Sequence, residues 1–271
     1  MNLVGSKFII KKEQGDQDGG SRLSGNQNKK PFLSIITVVY NGEKFLEETI
    51  SSVLSQQFQD YEYLIIDGKS NDNTIKIIKK YENQIEYWIS QKDNGIYDAF
   101  NKGLELARGK YVGFINSDDI YRKNTFKLIK EYDESYKKID FIFGSVKKHW
   151  GLLSGYRPWK IYWSWGFYSS HSTGFFIKLD SAKKIGFYNT KYKYSADYDY
   201  FYRMIVKLKM LGVASKKNEI FGDFRRGGFS STINFFDHFC EEIKIRLDNG
   251  QNRFMVLLVF IFEFLYHIKK L

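Results

Sequence analysis

Apolar and polar positions follow one regime up to about Asp119 and a looser one beyond it. Leu33 to Val39 (LSIITVV) is a continuous β-branched apolar run, the pattern of a strand buried on both faces. Glu43 to Gln56 places Phe45, Leu46, Ile50, Val53 and Leu54 on one helical face, with Asn41 as candidate cap. Tyr61 to Ile66 predicts a second strand. Asp72 then caps a short helix carrying Ile75, Ile77 and Ile78, and Ile85 to Ile89 predicts a third strand. A helix over Ile96 to Arg108 buries Ile96, Phe100, Leu104 and Ala107, and Gly109 occupies the position where a left-handed residue ends a helix. Tyr111 to Ile115 predicts a fourth strand. Strand and helix alternating in this order imply an α/β fold, a mainly parallel central sheet with flanking helices.

After Asp119 the reading is a helix over Tyr121 to Tyr132, strands over Asp140 to Val146 and Thr173 to Lys178, and a helix over Tyr198 to Lys209. The segment His149 to Trp165 holds Trp150, Trp159, Trp163 and Trp165, as core or lid or as a surface for stacking sugar rings. Residues 11–30 are polar, Gly-rich and aperiodic, so 1–30 is expected as a disordered tail. The main domain is expected over 31–235, in halves 31–120 and 121–235, and a C-terminal helical segment over 236–271.

Charge sharpens this division. The net charge of +11 is uneven: residues 31–120 carry 9 Lys/Arg against 14 Asp/Glu, and residues 121–271 carry 27 against 14. A basic second half suits an anionic partner: nucleic acid, phospholipid headgroups or a phosphorylated acceptor. The single cysteine, Cys240, excludes an intramolecular disulfide and a cysteine metal cluster and fits a reducing compartment. The start MNLVGSKFII lacks the features of a secretory signal. The run Phe254 to Ile268 is the nearest approach to a membrane span, but it is short and contains Glu263. It is read either as an interfacial helix at the inner membrane surface, helped by Lys269 and Lys270, or as a helix packed on the core.

In open α/β sheets, ligands bind beyond the carboxyl ends of the strands. Tyr40-Asn41, Asp67-Gly68 and Asn116-Ser117-Asp118-Asp119 all fall there. Adjacent carboxylates such as Asp118 and Asp119 repel unless a cation compensates, and a hard divalent ion, Mg²⁺ or Mn²⁺, shared with a diphosphate would do so. A helix cap plus a first-turn acid is the competing reading.

The stretches SIITVVYNGEKFLEETISSVLSQ, YLIIDGKSNDNT and DNGIYDAFNKGLELARGKYVGFINSDD resemble family 2 glycosyltransferases, especially the branch acting in bacterial O-antigen and capsule assembly. The resemblance implies the Rossmann-like A-type glycosyltransferase fold, with 31–120 as nucleotide-binding half and 121–235 as acceptor half. By position it implies Thr37 and Tyr40 in the nucleotide pocket, Asp67 on the base, Asp93 near ribose or base, and Lys102 near the donor. Asp118 and Asp119 match the element that holds a divalent metal (Mn²⁺ or Mg²⁺) and the donor diphosphate, with Asn116 where the family's first Asp usually stands. KYSADYDYFYRM resembles the second acidic signature, in which Asp197 matches the general base and Asp199 is the fallback. His171, Arg225 and Arg226 are candidates for acceptor or diphosphate contacts.

The resemblance implies an inverting displacement in which Asp197 deprotonates an acceptor hydroxyl and the metal offsets charge on the leaving nucleoside diphosphate. The Gln-x-x-Arg-Trp motif of processive members is missing, which points to transfer of one sugar. The expected partners are a nucleotide-sugar donor, a uridine one by resemblance, a lipid-diphosphate-linked acceptor and an anionic membrane surface, without nucleic acid. The expected location is cytoplasmic, peripheral to the plasma membrane. A nucleotidyltransferase would need a Gly-rich basic loop after the first strand, where VVYNGEKF has none. A basic nucleic-acid-binding protein remains compatible with charge and aromatics, although no such motif is present.

Overall fold

The computed structural model describes residues 12–25, 30–149, 151–163, 172–225 and 235–267. The first half builds β2 (Leu33–Val39), α1 (Leu46–Leu54), β3 (Tyr61–Asp67), α2 (Thr74–Lys80), β4 (Tyr87–Ser90), α3 (Ile96–Leu106) and β5 (Tyr111–Asn116), preceded by β1 (Gln17–Gly19). Strands β4-β3-β2-β5 are adjacent and parallel. Side chains alternate across this sheet. Ile36, Val38, Leu64 and Ile66 enter one core with α3, and Leu33, Ile35, Tyr63 and Ile65 enter the other with α1 and α2. Gly103 lets α3 settle on β2, since a Cβ there would meet Ile36 at 2.4 Å.

The chain runs outward from β2 through β3 to β4 and then returns to the other side of β2 as β5. The strand order therefore reverses between β2 and β5, and a crevice opens beyond their carboxyl ends. Tyr40-Asn41 and Asn116–Asp119 border that crevice.

The second half adds β6 (Ile120–Tyr121), α4 (Thr125–Ser135), β7 (Phe141–Phe143), β8 (Ser145–Lys148), β9 (Gly151–Leu153), β10 (Phe175–Lys178), α5 (Leu179–Ile185), α6 (Ala196–Tyr202), β11 (Gly212–Ala214) and β12 (Ile220–Asp223). β10, β7 and β11 extend the main sheet beyond β5, and β6-β12-β8-β9 form a second sheet. The helices α7 (Phe235–Asp248) and α8 (Arg253–His267) close the described chain.

Several expectations change. Residues 12–25 are not a tail: β1 pairs antiparallel with β4, and Arg22 makes an ion pair with Glu62 at 2.8 Å. Asn41 does not cap α1. It has φ 51°, and its Oδ1 accepts the Asn71 N–H at 3.0 Å, which pins the loop after β2 to the loop after β3. Asp72 does serve α2, accepting the Thr74 N–H at 2.9 Å. Gly109 is not a left-handed stop; α3 ends earlier, and Gly109 is needed because a Cβ would meet the Ser34 nitrogen at 2.5 Å. The strand expected over Asp140–Val146 divides at Gly144 between the two sheets, where a Cβ would run into the Phe221 ring. The helix expected from Tyr121 starts at Thr125, because Ile120 and Tyr121 pair with β12. Trp159 and Trp163 are exposed rather than core, while Trp150 and Trp165 lie outside the described residues.

Candidate active site

The loops after β2, β3, β4 and β5 converge on the crevice and are cross-braced. Asn41 N–H donates to Ser70 Oγ at 2.7 Å, and Gly42 N–H donates to Thr74 Oγ1 at 2.9 Å. Tyr40 stands at the rim with its ring largely exposed. Thr37, by contrast, is fully buried, and its hydroxyl is 2.9 Å from that of Tyr63. Thr37 thus belongs to the core beneath the crevice, a correction to its expected place in the pocket.

Asp67 lies at the end of β3 with both carboxylate oxygens engaged: Ser90 Oγ donates at 2.6 Å and Ser70 N–H at 3.0 Å to Oδ2, and Ser70 Oγ at 2.5 Å to Oδ1. Asp93 stands directly beside it. A Cβ on Gly68 would meet Asp93 Oδ2 at 2.6 Å, so the glycine is what admits the second carboxylate. Burial, together with the nearby acids Asp98 and Asp67, holds the Asp93 carboxyl above the usual carboxylate range, against the pull of the Gly95 N–H and Lys102. Lys102 is buried. Its Nζ donates to the Lys92 carbonyl at 2.8 Å and lies 3.9 Å from Asp98, so it braces the Asp93 loop from behind. Asn101 is likewise structural, exchanging hydrogen bonds with the Tyr188 backbone at 2.9 and 2.8 Å.

The two acids after β5 have separate fates. Asp119 is fully buried: Thr173 Oγ1 donates to Oδ2 at 2.7 Å, and the Arg225 N–H donates to Oδ1 at 3.2 Å. Burial and the neighbouring Asp118 push its pKa up to about 8. Asp118 is half-buried, and its carboxylate accepts no hydrogen bond from another described residue; burial raises its pKa. Beside it in sequence, Asn116 donates through Nδ2 to Ser172 Oγ at 3.2 Å, while its buried Oδ1 accepts nothing from a described residue. The two acids and Asn116 therefore differ in what already engages them. Asp119 anchors the loop, and Asp118, with the Asn116 oxygen, offers the available hard donors.

Among the described residues no three of His, Cys, Asp and Glu converge on one point. Arg225 donates through Nη1 to Glu48 at 2.6 Å and leaves Nε and Nη2 without a partner among the described residues. His171 and Arg226 lie outside the described residues.

Across the site, Asp197 sits in the first turn of α6. Its Oδ1 accepts the Tyr198 N–H at 2.8 Å and the Tyr97 hydroxyl at 3.2 Å. Burial raises its pKa, opposed chiefly by His238 on α7. Asp199 is committed elsewhere, accepting from Arg203 Nε at 2.9 Å and from Asn249 Nδ2 at 2.8 Å. Of the two acids, Asp199 is thus held through both oxygens and Asp197 through Oδ1. The Glu241 carboxylate of α7 receives the N–H groups of Lys193, Tyr194 and Ser195 at 2.6, 2.7 and 2.8 Å and so holds the approach to α6.

Three of these residues were not legible beforehand. Lys148, on β8, is within electrostatic reach of both Asp119 and Asp197 and lies over the Phe224 ring at 4.4 Å; burial lowers its pKa. His238 and Glu241 come from α7, some forty residues after Asp197. The sequence signal for them is weak, the polar residues of DHFCEE in a mixed polar and apolar stretch.

A family model described as Glycosyl transferase family 2 matches residues 34–200. TuaG of Bacillus subtilis, a glycosyltransferase assigned to teichuronic acid biosynthesis, is 38% identical over 109 residues, 39% of this chain and 42% of that one. The match thus spans less than half of that relative's length. Staphylococcus aureus TarS 1–349, solved in complex with UDP-GlcNAc, superposes with a TM-score of 0.62 at 17% identity, over 84% of this chain and 70% of that one. The mannosyltransferase PcManGT from Pyrobaculum calidifontis, solved with GDP-Man and Mn²⁺, superposes with a TM-score of 0.62 at 14% identity, over 87% and 69%. These structures share the doubly flanked sheet, and the matched residues span the crevice from β2 to Asp197. The chain belongs to glycosyl transferase family 2 and has its A-type fold.

Proposed function

We propose that the protein is an inverting, non-processive glycosyltransferase that moves one sugar from a nucleotide-diphospho-sugar, a UDP-hexose, to a lipid-linked or polysaccharide acceptor in cell-surface glycan synthesis. The observation that supports this reading is the family 2 match over residues 34–200, which takes in the Asp118–Asp119 loop and reaches Asp197; Lys148 lies within electrostatic reach of Asp119 and Asp197. The exposed Tyr40 ring and the half-buried Asp93, with buried Asp67 behind it, suit the base and ribose. Asp118 and the Asn116 oxygen would hold a divalent ion, Mn²⁺ or Mg²⁺, which when bound offsets charge on the departing nucleoside diphosphate. Arg225, with two nitrogens unpartnered among the described residues, and the partly desolvated Lys148 add cationic character beside it.

Asp197 takes the acceptor hydroxyl proton while that oxygen attacks the anomeric carbon from the face opposite the diphosphate. Tyr97 fixes one of its oxygens. One displacement inverts the configuration, so no second nucleophilic carboxylate is required. TarS was solved with a UDP-sugar and TuaG is assigned to a cell-wall polymer, which favours a uridine donor and an envelope acceptor. Such an acceptor places the enzyme in the cytoplasm, peripheral at the inner face of the plasma membrane. Donor hydrolysis screened over UDP-, dTDP- and GDP-sugars, with Mn²⁺ and with EDTA, tests the reading. Turnover of a UDP-hexose with release of the inverted anomer is expected; turnover of none, or retention of configuration, overturns it.

A further inference from the structure

Glu263 looked like the residue that spoils the apolar C-terminal run, yet it is buried on the inner face of α8 with Val256 and Val259. On that face Phe260 stacks on Phe239 of α7 at 5.1 Å, so the two helices fold back on each other as a hairpin. Turning Glu263 inward leaves an outer face made of Phe254, Leu257, Leu258, Ile261, Phe262 and Leu265, all exposed, Phe262 at 68%. Their spacing of three and one is that of a single helical stripe. The stripe carries no charge over about 18 Å, at 1.5 Å per residue. A contiguous apolar patch of this kind on a soluble domain marks a contact surface.

We infer that this outer face of α8 docks in the headgroup region of an anionic bilayer; the inference rests on the proposed transfer to a lipid-borne acceptor. Charge selects the bilayer over a second copy. Exposed Arg253 begins the helix, Lys207 lies by the hairpin turn, where a Cβ on Gly250 would meet its Nζ at 3.8 Å, and Lys269 and Lys270 follow in the sequence. Cations at the start of an apolar stripe complement anionic headgroups, whereas two copies meeting here would bring those cations together. The 15 residues of α8 fall short of the roughly 20 needed to span, and among the described residues no helix is long and apolar enough to cross a membrane. The same hairpin reaches the base on its other side, through Glu241 to residues 193–195 and through His238 to Asp197. Docking the stripe therefore holds the base close to the lipid surface from which the acceptor would rise.

The test is co-sedimentation of the full chain with phosphatidylglycerol-rich and with pure phosphatidylcholine vesicles, beside the variants Ile261→Glu and Leu257→Glu. The chain is expected to bind the anionic vesicles, to release at high salt, and to lose at least tenfold in binding with either variant. Donor hydrolysis and the melting temperature of both variants are expected to stay at wild-type values. Absence of vesicle binding, binding unchanged by both variants, or a wild-type dimer in solution that the variants convert to monomer overturns the proposal. Loss of donor turnover in the wild type would sink the enzymatic reading and leave the docking result standing.

Discussion

The Tyr97 hydroxyl, on α3 of the first half, donates to Asp197 Oδ1, on α6 of the second half, at 3.2 Å. The same hydroxyl also reaches the Tyr194 carbonyl at 2.9 Å. One phenol thus ties the base to the helix that follows the Asp93 loop. Tyr97→Phe is expected to lower transfer about tenfold, the worth of one hydrogen bond to a charged group. It also removes a bond that favours the ionised carboxylate, so the acid limb of the pH–rate profile moves to higher pH. A fall in rate with an unmoved acid limb would show that Tyr97 does not act through Asp197.

Asp197→Asn is expected to keep nucleotide-sugar binding and lose transfer by roughly 10²–10⁴-fold, the span of general base catalysis. Its stability should move the other way. Because burial raises the folded pKa of Asp197, the folded state holds its proton more tightly, and stability falls as pH rises from the unfolded value of about 3.9 through the folded one. The substitution removes that penalty. The variant should melt higher than wild type at pH 7, with the gap closing toward pH 4. Asp199→Asn, which disturbs the acceptors of Arg203 and Asn249, should lower the melting temperature instead.

The split between the adjacent acids predicts two different defects. Asp118→Asn should fold normally and lose the response of donor turnover to Mn²⁺. Asp119→Asn should lower the melting temperature, because an amide nitrogen facing either Thr173 or the Arg225 N–H leaves a buried donor unmatched. Equal Mn²⁺ titrations of donor binding in Asp118→Asn and wild type would remove Asp118 from the metal site.

Glu241 is expected to act by position alone. Glu241→Ala frees three backbone N–H groups before α6 and should lower kcat several-fold with little change in donor KM. Glu241→Gln keeps an acceptor oxygen and should restore part of the rate. A change confined to donor KM would contradict the role.

The parallel frame and its ligand edge were legible because their signal is local. LSIITVV and YEYLIID are buried on both faces and need no distant information to be recognised as central strands, and their polar ends are set by where the apolar runs stop. The order of the family motifs along the chain carried the family, whose model matches residues 34–200. What sequence could not divide were neighbours of identical chemistry. Asp118 and Asp119 differ only in that Thr173 and the Arg225 N–H, 54 and 106 residues away, reach the second of them. Asp197 and Asp199 differ because Asn249 claims the latter. Thr37 read as a pocket residue until Tyr63, on the next strand, paired with its hydroxyl. The segment Gln17–Gly19 has no apolar pattern and becomes a strand only because β4 offers it a free edge. Glu263 broke the apolar run in one dimension and vanished from the surface once α8 folded onto α7. Periodicity determines which faces are apolar. The roles of individual polar groups depend on partners brought by tertiary contact, because a buried donor or acceptor must be matched by whatever group the fold places within reach.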